Sequence, residues 1–154
     1  MPETLILGLG NSILSDDRIG LVVAKEIHSK INSSDVDLKL AEIAGMDLIN
    51  RIKDYDNLIV IDSIKTGKLK IGEVVEIQEN KTGSFRMLSS HDISFFEMLK
   101  MGKELGYKMP EKIKIFGIEI KDNETFSEKL TDELKDKISE IINKINGEIK
   151  NIIF

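Results

Sequence analysis

The chain has 154 residues, a net charge of -5 and no cysteine. That length fits one domain with its own core, and the acidic balance argues against a nucleic-acid binder, which carries a basic face. The missing thiols exclude cysteine nucleophiles, disulfides and thiolate metal sites.

No basic-then-apolar leader is visible and no apolar run approaches about 18 residues, so a soluble cytoplasmic protein without a membrane partner is expected. From the N-terminus the pattern alternates strand and helix. Thr4–Gly8 is apolar without alternation, as in a strand buried on both faces. A helix is predicted over Asp16–Lys30, because Ile19, Val22, Val23, Ile27 and Ile31 follow helical spacing. Val36–Ile43 reads as a strand and Met46–Lys53 as a short helix. Asn57–Asp62 is a third strand, with Leu58-Ile59-Val60-Ile61 as its apolar run. Gly72–Gln78 is a further strand, Asp92–Leu105 a helix closed by Gly106, and Lys112–Ile120 a strand. The last helix, Thr131–Asn146, puts Leu134, Ile138, Ile141, Ile142 and Ile145 on one face. The polar stretches Lys65–Lys70 and Glu79–Ser84 are short enough to be loops within one domain spanning residues 1–154. This order predicts an α/β fold: a mainly parallel sheet with helices on both sides.

Ligands of such sheets sit beyond the carboxyl ends of the strands. That rule selects Asp16 and Asp17 after the first strand, Glu42 at the end of the second, Asp62 at the end of the third, and His91 in the loop before a helix. The turn Gly8-Leu9-Gly10 is the start of a dinucleotide-type glycine pattern, which needs Gly-x-Gly-x-x-Gly. Its third position is Ile13, so the close helix–strand contact that glycine supplies is expected to be missing. Helix starts attract anions. Here two carboxylates occupy that end, which favours a cation over a phosphate. A plainer reading of Asp16 and Asp17 is that they stabilise the helix dipole by about 0.3–1 kcal/mol each, with Ser15 as N-cap and Arg18 screening the pair.

There are two histidines. His28, late in the first helix, complements the helix dipole and reads as structural. His91, in Ser89-Ser90-His91-Asp92, taken singly is an exposed loop residue. Taken together, the acidic helix start, the strand-end Asp62 and His91 converge on one sheet edge and could hold a divalent cation. Ser-His-Asp catalysis fits poorly, since no Gly-x-Ser-x-Gly elbow is present, and there is no His-Glu-x-x-His helix. On the residues alone the edge offers a divalent-cation site, and a non-catalytic α/β module that binds a nucleotide or senses a metal stands as the alternative to an enzyme.

Gly8-Leu-Gly10-Asn11-Ser-Ile-Leu14-Ser-Asp16-Asp17-Arg-Ile-Gly20 resembles the N-terminal motif of the endopeptidases that mature nickel-iron hydrogenases. Ala44-Gly45-Met46-Asp47-Leu48, Ile61-Asp62-Ser63, Ser90-His91-Asp92 and Gly117-Ile118-Glu119 are similar to later segments of that family, so the resemblance covers nearly the whole chain. It implies a three-layer α/β/α sandwich around a twisted sheet. It implies one cut near the C-terminus of the precursor of a nickel-iron hydrogenase large subunit, made after nickel insertion. Carried over residue by residue, Asp17, Asp62 and His91 would be both the catalytic set and the metal contacts. The nickel would be carried by the substrate, with other divalent cations able to fill the same site. Asp16 matches the first acid of the family's pair. One departure stands out: where many members have an Asp-Gly-Gly-Thr-like segment, this chain has Leu40-Ala41-Glu42-Ile43. Either Glu42 substitutes for the missing acid or the tail being cut differs.

Overall fold

A computed structural model of the chain describes residues 2–42, 47–78 and 95–153. The middle of its sheet is formed by β1 (Thr4–Leu9) and β3 (Asn57–Ile64), which carry the apolar runs, and by β5 (Lys112–Glu119). β2 (Val36–Ala41) lies outside β1, and the short β4 (Val74–Glu76) lies outside β5. The order is β2-β1-β3-β5-β4, with every pair parallel except β4 against β5.

Successive side chains of a strand point to opposite faces, and this divides the core in two. Leu5, Leu7, Leu58 and Val60 pack with Leu48 of α2 (Asp47–Ile52) and Phe95 of α3 (Phe95–Glu104). Ile6, Ile59 and Ile61 pack with Val23 of α1 (Ile19–Ile31) and with Ile141 and Ile145 of a long C-terminal helix. Helices therefore cover both faces, giving the expected three layers. Among the described residues no helix is long and apolar enough to cross a membrane.

Several boundaries differ from the sequence-based expectation, each for a local reason. The helix expected from Asp16 starts as a 3-10 helix, Ser15–Arg18, and becomes α-helical only at Ile19. Ser15 has a φ of 49°, and its Oγ donates to the Lys129 carbonyl at 3.2 Å, so it does not act as the N-cap. The helix expected over Thr131–Asn146 is two: α4 (Asp132–Lys135) and α5 (Ile138–Ile153). The apolar stripe carries α5 on through Ile149 and Ile152. β3 continues two residues past Asp62, because β5 pairs with it as far as Ile64 whereas β1 pairs only up to Ile61. The strand expected over Gly72–Gln78 shortens to the three residues of β4. Gly106 closes α3 as expected, with φ of 90° and its amide donating to the Lys103 carbonyl at 3.0 Å.

The close helix–strand contact expected to be missing at Ile13 is present elsewhere. Gly20, in the first turn of α1, lies so near the sheet that a Cβ there would fall 2.2 Å from the Leu9 carbonyl oxygen and 2.6 Å from that of Ile61. Both obstacles are backbone, so neither can rotate away. Gly20→Ala is expected to destabilise the fold at or beyond the upper end of the about 1–3 kcal/mol typical of overpacking. For a domain of this size that is a fall of roughly 6–12 °C in melting midpoint. An unchanged midpoint in a thermal melt would show that α1 does not sit this close.

Candidate active site

In a sheet ordered this way the chain leaves β1 toward β2 and then crosses to β3 on the other side. The carboxyl ends of β1 and β3 therefore flank the point where strand order reverses, which is where open α/β sheets bind ligands. Asp17 follows β1 and Asp62 lies on β3, so both candidate acids flank that crevice.

The turn between β1 and α1 does not cradle an anion. Every backbone amide from Gly10 to Asp17 already donates inside the protein. Ser12 N donates to Glu42 Oε1 at 2.6 Å, Ser15 N to the Ser127 carbonyl at 2.9 Å, and Asp16 N to the Asp122 carbonyl at 2.9 Å. A phosphate would have to displace these bonds and then meet carboxylates. Glu42 is thus the acid that pins the turn; the Ser12 amide holds its carboxyl below the ordinary range.

The two adjacent aspartates do different work. Asp16 is fully buried and accepts four hydrogen bonds from one distant segment: Thr131 N at 2.7 Å, Thr131 Oγ1 at 2.9 Å, Asp122 N at 3.0 Å and Lys121 N at 3.2 Å. It fastens the 3-10 helix to the loop after β5. It also takes the Thr131 hydroxyl, and the N-cap of α4 has no side-chain cap bond. A buried carboxylate engaged in this way is a structural anchor rather than an exposed complement to a helix dipole. Arg18 Nη1 donates to the Glu128 carbonyl.

Asp17, 5% exposed, takes the Ser63 hydroxyl proton on Oδ1 at 2.5 Å. Asp62, 0% exposed, accepts the Ser63 amide on Oδ1 at 2.7 Å. Ser63 therefore touches both acids. Burial pushes the Asp62 carboxyl well above its ordinary range, and the backbone bond from Ser63 offsets this only in part. A cavity of about 540 Å³ opens beside them, lined by Leu14, Asp17, Ser63, Lys65, Asn123 and Glu124 among others. Lys65 Nζ lies 3.2 Å from Asn123 Oδ1 at its wall.

Of the remaining candidates, His91 lies outside the described residues, as do Ile43–Met46 and the neighbours Ser90 and Asp92. Among the described residues no group of three or more histidines and acids is close enough to hold a metal ion. His28 Nε2 lies 2.9 Å from the Val36 carbonyl and donates to it, tying α1 to β2 as a structural histidine does.

Sequence reasoning gave no role to Ser63, Glu119 or Asp122. Glu119, 1% exposed, accepts the Thr66 and Gly67 amides and the Thr66 hydroxyl at 2.6–3.2 Å, anchoring the loop after β3. Its clue was a charge inside the apolar run Ile118-Glu119-Ile120. Asp122 folds its own loop over the cavity wall. Its carboxyl is held down to about 2 by the Thr125 hydroxyl and by the Thr125 and Glu124 amides. Since the folded value lies below the unfolded one, this stabilisation is complete above about pH 4 and is lost as pH falls from there toward 2. The Glu124 and Thr125 amide resonances should shift with a midpoint near pH 2. A midpoint near 3.9, the ordinary aspartate value, would mean that the carboxylate is not so bonded.

The hydrogenase maturation protease family model matches residues 21–148, a span that omits the N-terminal glycine motif altogether. A hydrogenase expression/formation protein, HupD, of Thiocapsa roseopersicina is 26% identical over 145 residues, covering 92% of this chain and 65% of that protein. The hydrogenase 2 maturation protease of Escherichia coli is 25% identical over 117 residues, covering 74% of this chain and 71% of its own length. The chain thus spans somewhat under two thirds of the length of the HupD relative. The fold matches the hydrogenase maturating endopeptidase HybD of E. coli with a TM-score of 0.76 at 22% identity, covering 98% of this chain and 93% of that one. It matches the [NiFe] hydrogenase maturation protease HybD of Thermococcus kodakarensis with a TM-score of 0.65 at 26% identity, covering 97% and 100%. With its family model matched across both β3 and α3, the chain belongs to the hydrogenase maturation protease family.

Proposed function

We propose that this protein is an endopeptidase that removes the C-terminal tail of a nickel-iron hydrogenase large-subunit precursor, guided by nickel the precursor already carries. The observation that carries this reading is that Asp17 and Ser63, bonded to each other, line the cavity at the β1/β3 crevice, with the buried Asp62 next to Ser63 on β3 and bonded to its amide. Strand alternation supports a third contact. Asp62 shares the parity of Leu58 and Val60, whose side chains face the α2/α3 layer. The helix that follows His91 in sequence, α3, packs on that same face. In this reading Asp17, Asp62 and His91 grip nickel held by the precursor and so bring the scissile segment to the cavity.

The chemistry suits a cation. Burial disfavours the charged form of Asp62. A divalent ion would stabilise that form directly, and binding would displace a proton. Carboxylate oxygens and one imidazole suit a hard-to-borderline first-row ion. The nucleotide-binding alternative loses its footing, because the amides of the glycine turn are already engaged. Incubating the protein with nickel-loaded precursor and following the precursor's mass tests the reading. A loss equal to one C-terminal fragment is expected; a precursor of unchanged mass would overturn it.

A further inference from the structure

We infer that Ser63 is a positioning residue that locks Asp17 and Asp62 into one arrangement for a single divalent ion. The inference rests on the cation site proposed above. Ser63 is 5% exposed and stands on β3 between Asp62 and Ile64, in the part of the strand that β5 alone supports. Its register partner there is Ile118. The backbone at Ser63 is therefore fixed by the sheet.

From that fixed point the residue reaches both acids by different groups. Its amide donates to Asp62 Oδ1 at 2.7 Å, and its hydroxyl donates to Asp17 Oδ1 at 2.5 Å. Strand alternation sends the Ser63 side chain to the α1 face, where the 3-10 helix carrying Asp17 lies, and the Asp62 side chain to the other face. Asp17 and Asp62 thus stand on either side of Ser63, which bonds to both. A serine hydroxyl has one proton, so donation to Asp17 fixes its rotamer and the rotation of that carboxylate together. Ligating carboxylates held by outer hydrogen bonds bind metal more tightly, and loss of such a partner typically costs about 10–100-fold in affinity.

The test separates the hydroxyl from the volume it fills. Nickel(II) chloride is titrated calorimetrically into the wild type and into Ser63→Thr, Ser63→Val and Ser63→Ala. Threonine keeps the donor, and valine matches threonine in shape without it. Wild type and Ser63→Thr are expected to bind nickel alike, with Ser63→Val and Ser63→Ala weaker by about 10–100-fold. If the alanine and valine variants bind as tightly as wild type, Ser63 does not position the acids. If threonine weakens binding as much as valine, Ser63 acts through its size, and the inference is also lost. A wild type that takes up no nickel would instead remove the cation site itself, and this inference with it.

Discussion

Replacing Asp17 or Asp62 by asparagine should stop tail removal while leaving a folded protein. Asparagine is the informative substitution because both acids are buried and already accept a hydrogen bond. Alanine would leave the Ser63 amide or hydroxyl without its acceptor, at a cost of about 1–3 kcal/mol. The amide oxygen of asparagine keeps that bond and the volume, and removes only the negative charge a cation needs. A neutral amide is a weak ligand for a first-row divalent ion. The loss of processing should exceed about 100-fold, the upper end of what removing a mere outer partner of a metal site costs. Stability should move the other way at Asp62. Burial raises its folded value above the unfolded one, so the folded protein holds the proton to higher pH. In the metal-free protein the wild type therefore loses stability as pH rises from about 4 through that raised value. Asp62→Asn lacks this loss, and its advantage over wild type should grow as pH rises above about 4 in urea unfolding. Mass analysis of nickel-loaded precursor is the decisive readout. Full processing by both variants would remove the two carboxylates from the mechanism.

The central sheet was legible because its strands are buried on both faces. Leu58-Ile59-Val60-Ile61 has no polar interruption, and only a strand covered by helices on each side reads that way. The strand-end placement of Asp17 and Asp62 followed from the same pattern, since the rule about carboxyl ends needs only strand order and direction. The hidden parts depend on contacts between residues far apart in sequence. Asp16 and Asp17 are chemically identical neighbours. What separates them is Thr131, more than a hundred residues away, and Ser63 on another strand. The 3-10 start of the first helix has a similar origin. Its Ser15 and Asp16 amides, which have no helical partner, are fixed by the Ser127 and Asp122 carbonyls of a distant loop. The contact expected of a third glycine at position 13 is made by Gly20. The Gly-x-Gly-x-x-Gly spacing could not place it, although a glycine in the first turn of an otherwise apolar helix was the clue. Ser63 is the clearest omission. A hydroxyl beside a strand-end carboxylate was visible as Asp62-Ser63, but nothing local says that it reaches a second acid.

Tail removal should depend on nickel within the precursor, and the reason is what the site lacks. The chain has no cysteine. One of its two histidines, His28, bonds the Val36 carbonyl and serves the α1–β2 contact. Ser63 commits its hydroxyl hydrogen bond to Asp17, and among the described residues no histidine stands beside it as a base. Among the described residues the cavity thus offers acids and Lys65 but no activated nucleophile of the kind that covalent proteolysis requires. Binding energy must then do much of the work, by holding one peptide bond where water can attack it. Nickel already bound by the precursor would supply that energy through Asp17, Asp62 and His91, and would report that insertion is complete. The nickel-free precursor lacks this anchor. It should be processed more than about 100-fold more slowly, a difference of about 2.7 kcal/mol in the barrier. The measurement follows the mass of both precursor forms with the same protein, previously stripped of metal by a chelator that is then removed. A protease relying on its own resident metal would fail on both forms after stripping and recover on both when the metal is returned. Cleavage confined to the nickel-loaded precursor, by stripped protein, is the outcome expected here. Equal cleavage of both forms would end the nickel-guided reading.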